Sequence, residues 1–521
     1  MTAKTDRTSR DRPLSILLFM RNASGYFRIF APVLEELLAR GHRVHVAVDR
    51  ADTLGGDRWL EALRTAQPAF SFDVNRSLRA SPWYQLARDL RLSRDYLEFL
   101  RPSFRASPEL VRRAESRAPA PLRRLLSHRL TRRPGIVAAA AAVLRVLEDA
   151  IPPFDTIRRY VRDKSPDVVL VAPHLMPGSL HSAYVRAGQA AGLPTAVCVA
   201  SWDNLSSKQL LRVQPDAVFV WNDVQRDEAV RLHGIAADTV VVTGAQCYDP
   251  WFDWSPRARE AFCARVGLEA RRPYVLFVGG SLFPAATTEA EFAATWIEAL
   301  RRQDDPALSG LGVLIRPHPK RGDQWESVDF ERFDHVSVWP RGGRMPVTSA
   351  DRADFFDSIF HSAAVIGINT SAMIEAAIVG RPVLTVLEPA FAGSQTGVFH
   401  FRYLAEVGGG ALIAARDLEE HFRQLAAAVR DGSRARSREF VETFVRPRGI
   451  DRPAALVFAD EVERLPRREV GDTPERRHLL SPALAPIAVG YARLVAHRRR
   501  RRKAPSGGRF RRRLVRLLAR G

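Results

Sequence analysis

Short apolar runs return at helix-length intervals along most of this chain, and that rhythm restricts the folds open to it. The first is LSILLFM, residues 14–20, followed by a polar turn, RNASGY, a helix-like stretch, FRIFAPVLEELLAR, and a second run, HRVHVAV. Strand, helix and strand in that order make a βαβ unit. AFSFDV offers a third strand, and the series resumes with DVVLVA (167–172), PTAVCVA (194–200), DAVFVW (216–221) and TVVVTG (239–244). Runs this short and this apolar suit strands buried on both faces, which means a parallel sheet with helices on each side.

Two breaks divide the series. Residues 77–163 lose the strand rhythm, are rich in arginine and carry AAAAAVLRVLEDA, which predicts a helical insert. YDPWFDWSPRAREAF then interrupts the pattern before a second set of runs begins: YVLFVGGS (274–281), LGVLIRPHP (311–319), HVSVWP (335–340), AAVIGINTS (363–371), PVLTVLEP (382–389) and GALIAA (410–415). With 521 residues, 46% of them hydrophobic, the chain can fill two cores. The expectation is an α/β protein of two doubly wound, Rossmann-like domains facing across a cleft: residues 13–255 with the insert, residues 256–465, and a Pro/Arg-rich basic tail over 466–521. Such sheets place their ligand loops after the C-terminal ends of the strands.

The second-domain loops carry the stronger signals. In GINTSAMIEAAIVG, Asn369, Thr370 and Ser371 form a turn before a helix, whose unpaired N–H groups and hydroxyls suit phosphate oxygens. Glu375 lies one turn in and can accept the hydroxyls of a ribose; ordinary capping with Glu375 exposed is the plainer alternative. IRPHPKR places Arg316, His318 and Lys320 around two prolines, a stiff positive turn for a diphosphate. FVGGS supplies Gly279 and Gly280 for close backbone approach and Ser281 as a donor.

The first-domain loops would face them. RNASGYFR lacks a G-x-G-x-x-G fingerprint but offers Arg21, Asn22, Ser24 and a close passage at Gly25. APHLMPGS supplies His174, and SWDNLSSK follows another strand. A carboxylate there could take a proton from an acceptor hydroxyl, which makes Asp203 the candidate general base, with His174 its rival, Lys208 a phosphate contact and Trp202 beside a sugar. The alternative is a local turn in which Asp203 satisfies backbone N–H groups and Trp202 is core.

The formal charge of +21 is concentrated: residues 498–520 hold twelve Lys or Arg and no acid. Polybasic segments bind polyanions, and the spacing of Phe510, Leu514, Leu517 and Leu518 favours an anionic membrane surface over nucleic acid. Three scattered cysteines argue against a disulfide framework or a zinc module, so no metal site is expected. No run is long enough to span a membrane, and the N-terminus does not read as a signal peptide, so the expected location is cytoplasmic, peripheral at the inner face of the membrane.

The paired domains, LLFMRNASGYFRIFAPVLEELLARGHRVHVA, and GINTSAMIEAAIVGRPVL resemble the GT-B superfamily of glycosyltransferases and related enzymes. RPHP followed by a serine-containing turn and EA also resembles the bacterial surface-polysaccharide and CDP-glycerol glycerophosphotransferase-like group. In that group a Trp-His-Gly-Thr-Pro run carries a proposed base; here Trp202 is followed by Asp203 and Asn204. The resemblance implies transfer of a sugar from a nucleotide-activated donor, a substrate rather than a cofactor, to a cell-surface glycan or lipid-linked acceptor. It also implies that Glu375 binds the ribose, with Thr370 and Ser371 nearest the phosphates. Glycerophosphate transfer, a UDP-sugar 2-epimerase-like reaction and non-catalytic polyanion binding are the alternatives.

Overall fold

A computed structural model of the chain describes residues 12–50, 55–74, 81–172, 179–281, 285, 287–346, 348–432, 437–468 and 481–503. The first apolar series forms β1 (Ser15–Met20), β2 (Arg43–Val48), β3 (Phe70–Val74), β4 (Val168–Val171), β5 (Thr195–Cys198), β6 (Ala217–Val220) and β7 (Val240–Val242). They pair in parallel in the order β3-β2-β1-β4-β5-β6-β7. The second series forms β8 (Tyr274–Val278), β9 (Gly312–Arg316), β10 (Val336–Val338), β11 (Ala364–Gly367), β12 (Val383–Val386) and β13 (Leu412–Ala415), again parallel, in the order β10-β9-β8-β11-β12-β13. β4, β5, β6 and β8 are buried along their whole length, as uninterrupted apolar runs require.

In each sheet the chain winds outward from its first strand and then crosses to the other side of it. The direction of winding therefore reverses between β1 and β4 and between β8 and β11. Loops leaving the strand ends on either side of such a reversal diverge and open a crevice. The turns after β1, β8 and β11 carry the residues that the sequence marks. Two doubly wound parallel sheets facing across a cleft make this a GT-B-like fold, as expected.

The insert is helical: Tyr84–Phe99, Pro108–Arg117, Ala120–Leu126 and Pro134–Asp149 fold around their own small core of Tyr96, Phe99, Phe104 and Leu126. The Asp155–Lys164 helix, placed in the insert by the sequence, instead buries Ile157 and Val161 against the first sheet as an ordinary crossover helix.

One domain assignment needs correction. The Ala454–Arg464 helix belongs to the second domain by sequence order but packs in the first-domain core. Phe458 meets Phe30 and Phe219 edge to face at 6.3 and 4.9 Å. Asp249 caps it from more than 200 residues away, accepting from the N–H groups of Ala454 (2.9 Å) and Ala455 (2.7 Å). Gly244, at φ +96°, leaves the space: a Cβ there would lie 2.7 Å from that of Ala454. Among the described residues no helix is long and apolar enough to cross a membrane, and no cluster of His, Cys, Asp or Glu has the makings of a metal site.

Candidate functional site

The strand-end loops of the two sheets enclose a cavity of ≈ 390 Å³. Its second-domain wall is built from three turns. After β9, Arg316, His318 and Lys320 project around Pro317 and Pro319; after β11, Thr370 and Ser371 lead into the Ala372–Val379 helix; after β8, Gly279 closes the floor. A Cβ on Gly279 would stand 3.0 Å from the Trp325 ring and 3.1 Å from the His318 backbone nitrogen, so any larger residue would push the β9 turn back.

The electrostatics are those of an anion site. Arg28, Lys208, Arg316, Lys320 and Arg344 line the cavity against a single carboxylate, Glu375. Arg316 is 8% exposed, its guanidinium 4.9 Å over the Phe355 ring and donating to the Asp354 carbonyl at 3.3 Å. Burial pulls its pKa down to about 10 against the pull of Asp354, Asp351 and Glu375, and it stays charged at neutral pH. His318 is held neutral, pushed down to about 4 by burial and then by Lys320 and Arg28. Its Nδ1 accepts the Lys320 N–H at 3.1 Å, so the proton of the neutral ring sits on Nε2. The ring on the cavity wall is thus a hydrogen-bond donor.

The Ala372–Val379 helix opens without a side-chain cap. Ser371, its N-cap residue, makes no side-chain cap bond, the Thr370 hydroxyl accepts the Ala372 N–H at a long 3.5 Å, and the N-terminal end lies on the cavity wall. Glu375, 1% exposed, receives Arg28 from the first-domain Ala23–Ala39 helix at 2.6 Å on Oε1, leaving Oε2 unpaired. Burial raises its pKa to about 7, with Arg28 and Arg316 opposing. The pair joins the two domains at the cavity itself.

The first-domain wall is more self-absorbed. Asn22 donates to Ser24 Oγ at 3.1 Å, and Asn204 accepts the Ala200 N–H at 3.1 Å. Here the reading of Asp203 as general base needs correction. Asp203 is not on the cavity wall, and its carboxylate accepts Ser201 Oγ (2.6 Å), Ser207 Oγ (2.9 Å) and Lys208 Nζ (3.2 Å). Burial raises its pKa, but Lys208, His400 and the two hydroxyls outweigh that and hold it well below the usual carboxylate range. A group so well satisfied as an anion is a poor proton acceptor. What it presents to the cleft is Lys208. Trp202 is core, 5% exposed and edge to face with His400 at 4.8 Å.

Of the residues marked by sequence, the cavity brings together Gly279, Arg316, His318, Lys320, Thr370, Ser371 and Glu375 with Asn22, Ser24, Gly25 and Lys208. Gly280, Ser281 and Asn369 are not on its wall. The Gly280 N–H is taken by the buried Glu289 carboxylate at 3.0 and 2.9 Å, Ser281 is exposed, and Asn369 donates to the Ser394 carbonyl and lies 3.3 Å from His400. His174 lies outside the described residues. Arg28, Tyr26, Arg344 and Phe355 were missed. For Arg28 the sequence carries no local signal of its distant partner, Glu375.

No protein-family profile matches the chain, and no curated protein matches it in sequence. Solved structures align with it along most of its length. A glycosyltransferase from Rickettsia africae aligns over 88% of this chain and 100% of its own at 10% identity, TM-score 0.47. A UDP-GlcNAc 2-epimerase from Methanocaldococcus jannaschii, in complex with UDP-GlcNAc and UDP, aligns over 87% and 99% at 13% identity, TM-score 0.48. One from Neisseria meningitidis, bound to UDP-GlcNAc, aligns over 86% and 99% at 12% identity, TM-score 0.48. Likenesses this distant assign no residue a role here, and the site stands on its own geometry.

Proposed function

We propose that this chain is a nucleotide-sugar-dependent enzyme of the glycosyltransferase class, moving a sugar from a nucleotide-activated donor to a hydroxyl of a glycan or lipid-linked acceptor. One observation carries the reading: an open helix N-terminus, a buried arginine, a neutral His held as an Nε2 donor and two lysines converge on one interdomain cavity. That is the donor set a diphosphate needs, both bound and as negative charge grows on it when the glycosidic bond breaks. Thr370, Ser371 and the helix start would hold the phosphates. Arg316, His318 and Lys320 would stabilise the leaving nucleotide, and Glu375 Oε2 would accept the ribose hydroxyls. Lys208, set by Asp203, would reach a phosphate or an anionic acceptor from the opposite wall. The reading requires no metal or cofactor.

A peripheral membrane location accompanies it. The large hydrophobic side chains exposed among the described residues all lie on the insert (Leu125, Leu130, Ile136, Val143, Val146) or on the Ser481–Lys503 helix (Ile487, Val489, Leu494). That helix packs against the insert, with the Tyr491 hydroxyl bonded to Asp89. Apolar side chains among arginines suit the interface of an anionic bilayer, where a lipid-linked acceptor would be presented. The basic stretch 498–520 runs on from this helix; its side chains, and its backbone beyond Lys503, lie outside the described residues.

A second reading, epimerisation of the nucleotide sugar, draws on Glu375: a carboxyl with a pKa near 7 and an unpaired oxygen on the donor wall could exchange a proton with a sugar carbon. One experiment separates the two. The full chain is first screened by thermal shift against UDP, CDP and GDP, since a ligand of the folded state raises apparent stability. The matching nucleotide sugar is then incubated in heavy water. Transfer releases free nucleotide, faster with acceptor; epimerisation places deuterium on the sugar and releases none. Stabilisation by no nucleotide would overturn both readings.

A further inference from the structure

A second and larger cavity, ≈ 960 Å³, lies away from the cleft between the insert and the body of the first domain. The Tyr84–Phe99 and Pro134–Asp149 helices form one side; the segment 210–214 and the ends of the His181–Gln189 and Asp223–Arg231 helices form the other. Seven arginines line it against two carboxylates, Glu98 and Asp149.

The chemistry of its floor is unusual. Arg212 has a side chain 2% exposed; it is bonded to Asp95 and donates to the Arg91 carbonyl at 3.2 Å, yet its Nη1 has no hydrogen-bond partner. Glu148 lies 4.0 Å from that nitrogen and already holds Arg91 (3.1 Å) and Arg94 (2.9 Å). Arg94, also on the cavity wall, has an unpartnered Nε. Three guanidinium groups thus share two buried carboxylates. The cluster therefore carries more positive than negative charge beneath the cavity, and that excess attracts an anion placed against the wall.

Beside the arginines the wall turns apolar, with Leu210, Leu211, Val213 and Leu232. Forked guanidinium donors match phosphate oxygens, and an excess of them suits a multiply charged group. The volume lies within the range of sites that hold an organic molecule, beyond what an inorganic anion needs.

We infer that this cavity binds a diphosphate-bearing amphiphile, with its head on Arg94, Arg101, Arg145 and Arg212 and its chain along the leucine wall. The site is separate from the donor cleft, and the inference does not depend on which reaction runs there. The chain passes from Lys208 on the cleft wall to Arg212 on this floor, so the two sites are neighbours.

The test is calorimetric titration of the full chain with farnesyl diphosphate, with inorganic pyrophosphate and, as a monitor of the cleft, with UDP. Arg101 and Arg145, with side chains 55% and 58% exposed, stand apart from the Arg91, Arg94, Arg212, Asp95 and Glu148 cluster but both pair with the buried Glu98, at 3.1 and 3.7 Å, so the fold of their variant is checked by circular dichroism first. Arg101→Gln/Arg145→Gln should weaken farnesyl diphosphate about tenfold or more, as expected for loss of two charge-assisted contacts, and leave UDP unchanged. Arg212→Lys, if folded by circular dichroism, should weaken it further. Unchanged affinity in the double variant, or competition between UDP and farnesyl diphosphate for one site, would overturn the assignment. Equal affinity for pyrophosphate and farnesyl diphosphate would overturn the apolar half of it. Should UDP fail to bind while farnesyl diphosphate behaves as expected, the donor-cleft reading falls and this one stands.

Discussion

The two walls of the cleft are built on the same topology but spend their polar groups differently. On the second-domain wall, His318 uses one nitrogen to fix its tautomer and keeps the other as a donor, and the Ala372–Val379 helix begins without a side-chain cap. On the first-domain wall, Asp203 is consumed by Ser201, Ser207 and Lys208, and Arg28 by Glu375 across the gap. One wall keeps donors unspent; the other spends its polar groups on its own loops and on the first wall. The difference teaches that polar residues after a strand are site candidates only until their local partners are known.

The largest effect expected from breaking this comparison is at His318. His318→Ala should lower turnover by about 10²-fold at saturating substrates and change nucleotide affinity far less, because a donor to the leaving group acts most as charge develops. The check is a comparison of steady-state kcat with calorimetric nucleotide affinity; an unchanged kcat would remove the second wall's sharpest functional claim.

Next is the lock between the walls. Arg28→Met leaves a buried carboxylate unpaired and should cost about 1–2 kcal/mol in urea unfolding at pH 8, discounted from the cost of a fully buried pair because Arg28 is one third exposed. The pH dependence gives the sign. Glu375 has a folded pKa of about 7, above the unfolded value, so its proton is bound in the folded state at pH 5.5 and increasingly lost above 7. The penalty of Arg28→Met should therefore shrink at pH 5.5, where the carboxyl is neutral, and a penalty equal at both pH values would show that the pair is not what stabilises this contact. Glu375→Gln in the Arg28→Met background should restore part of the loss at pH 8.

A smaller effect belongs to the helix start. Thr370→Val and Ser371→Ala should each weaken nucleotide binding by about 1 kcal/mol, roughly fivefold, with the melting temperature of the free protein little moved, since Ser371 makes no cap bond and Thr370 only a 3.5 Å contact to the Ala372 N–H. The smallest is Asp203→Asn, expected to lower turnover by less than about tenfold, by loosening Lys208 rather than by removing a base. A loss near 10³-fold, with Lys208→Met mild, would reverse the contrast between the walls and return Asp203 to the role of proton acceptor.

Much of this was legible in the sequence because local spacing encodes it. A short apolar run ending in GGS, RPHPKR or NTS states that a buried strand ends there and what emerges from it, and two series of such runs imply two sheets. The misses have the opposite character. Gly280 looks like Gly279, and only the position of Glu289 nine residues on shows that its N–H is already taken. The Ala454–Arg464 helix reads as the end of the second domain because nothing in its sequence says that Asp249 will cap it.

By itself the sequence determined what depends on neighbours along the chain: which segments are strands, that both sheets are parallel and covered, that the insert is helical, and where the positively charged strand-end turns lie. The tertiary structure decided what depends on how the two domains dock. It paired Arg28 with Glu375 across 347 positions, and it turned Asp203 inward so that Lys208 faces the cleft. It also gathered arginines from the insert and from the first-domain body around a second cavity. Periodicity fixes which face of an element is buried; it carries no information about which distant charge will meet it there, because that is settled by the packing of whole domains.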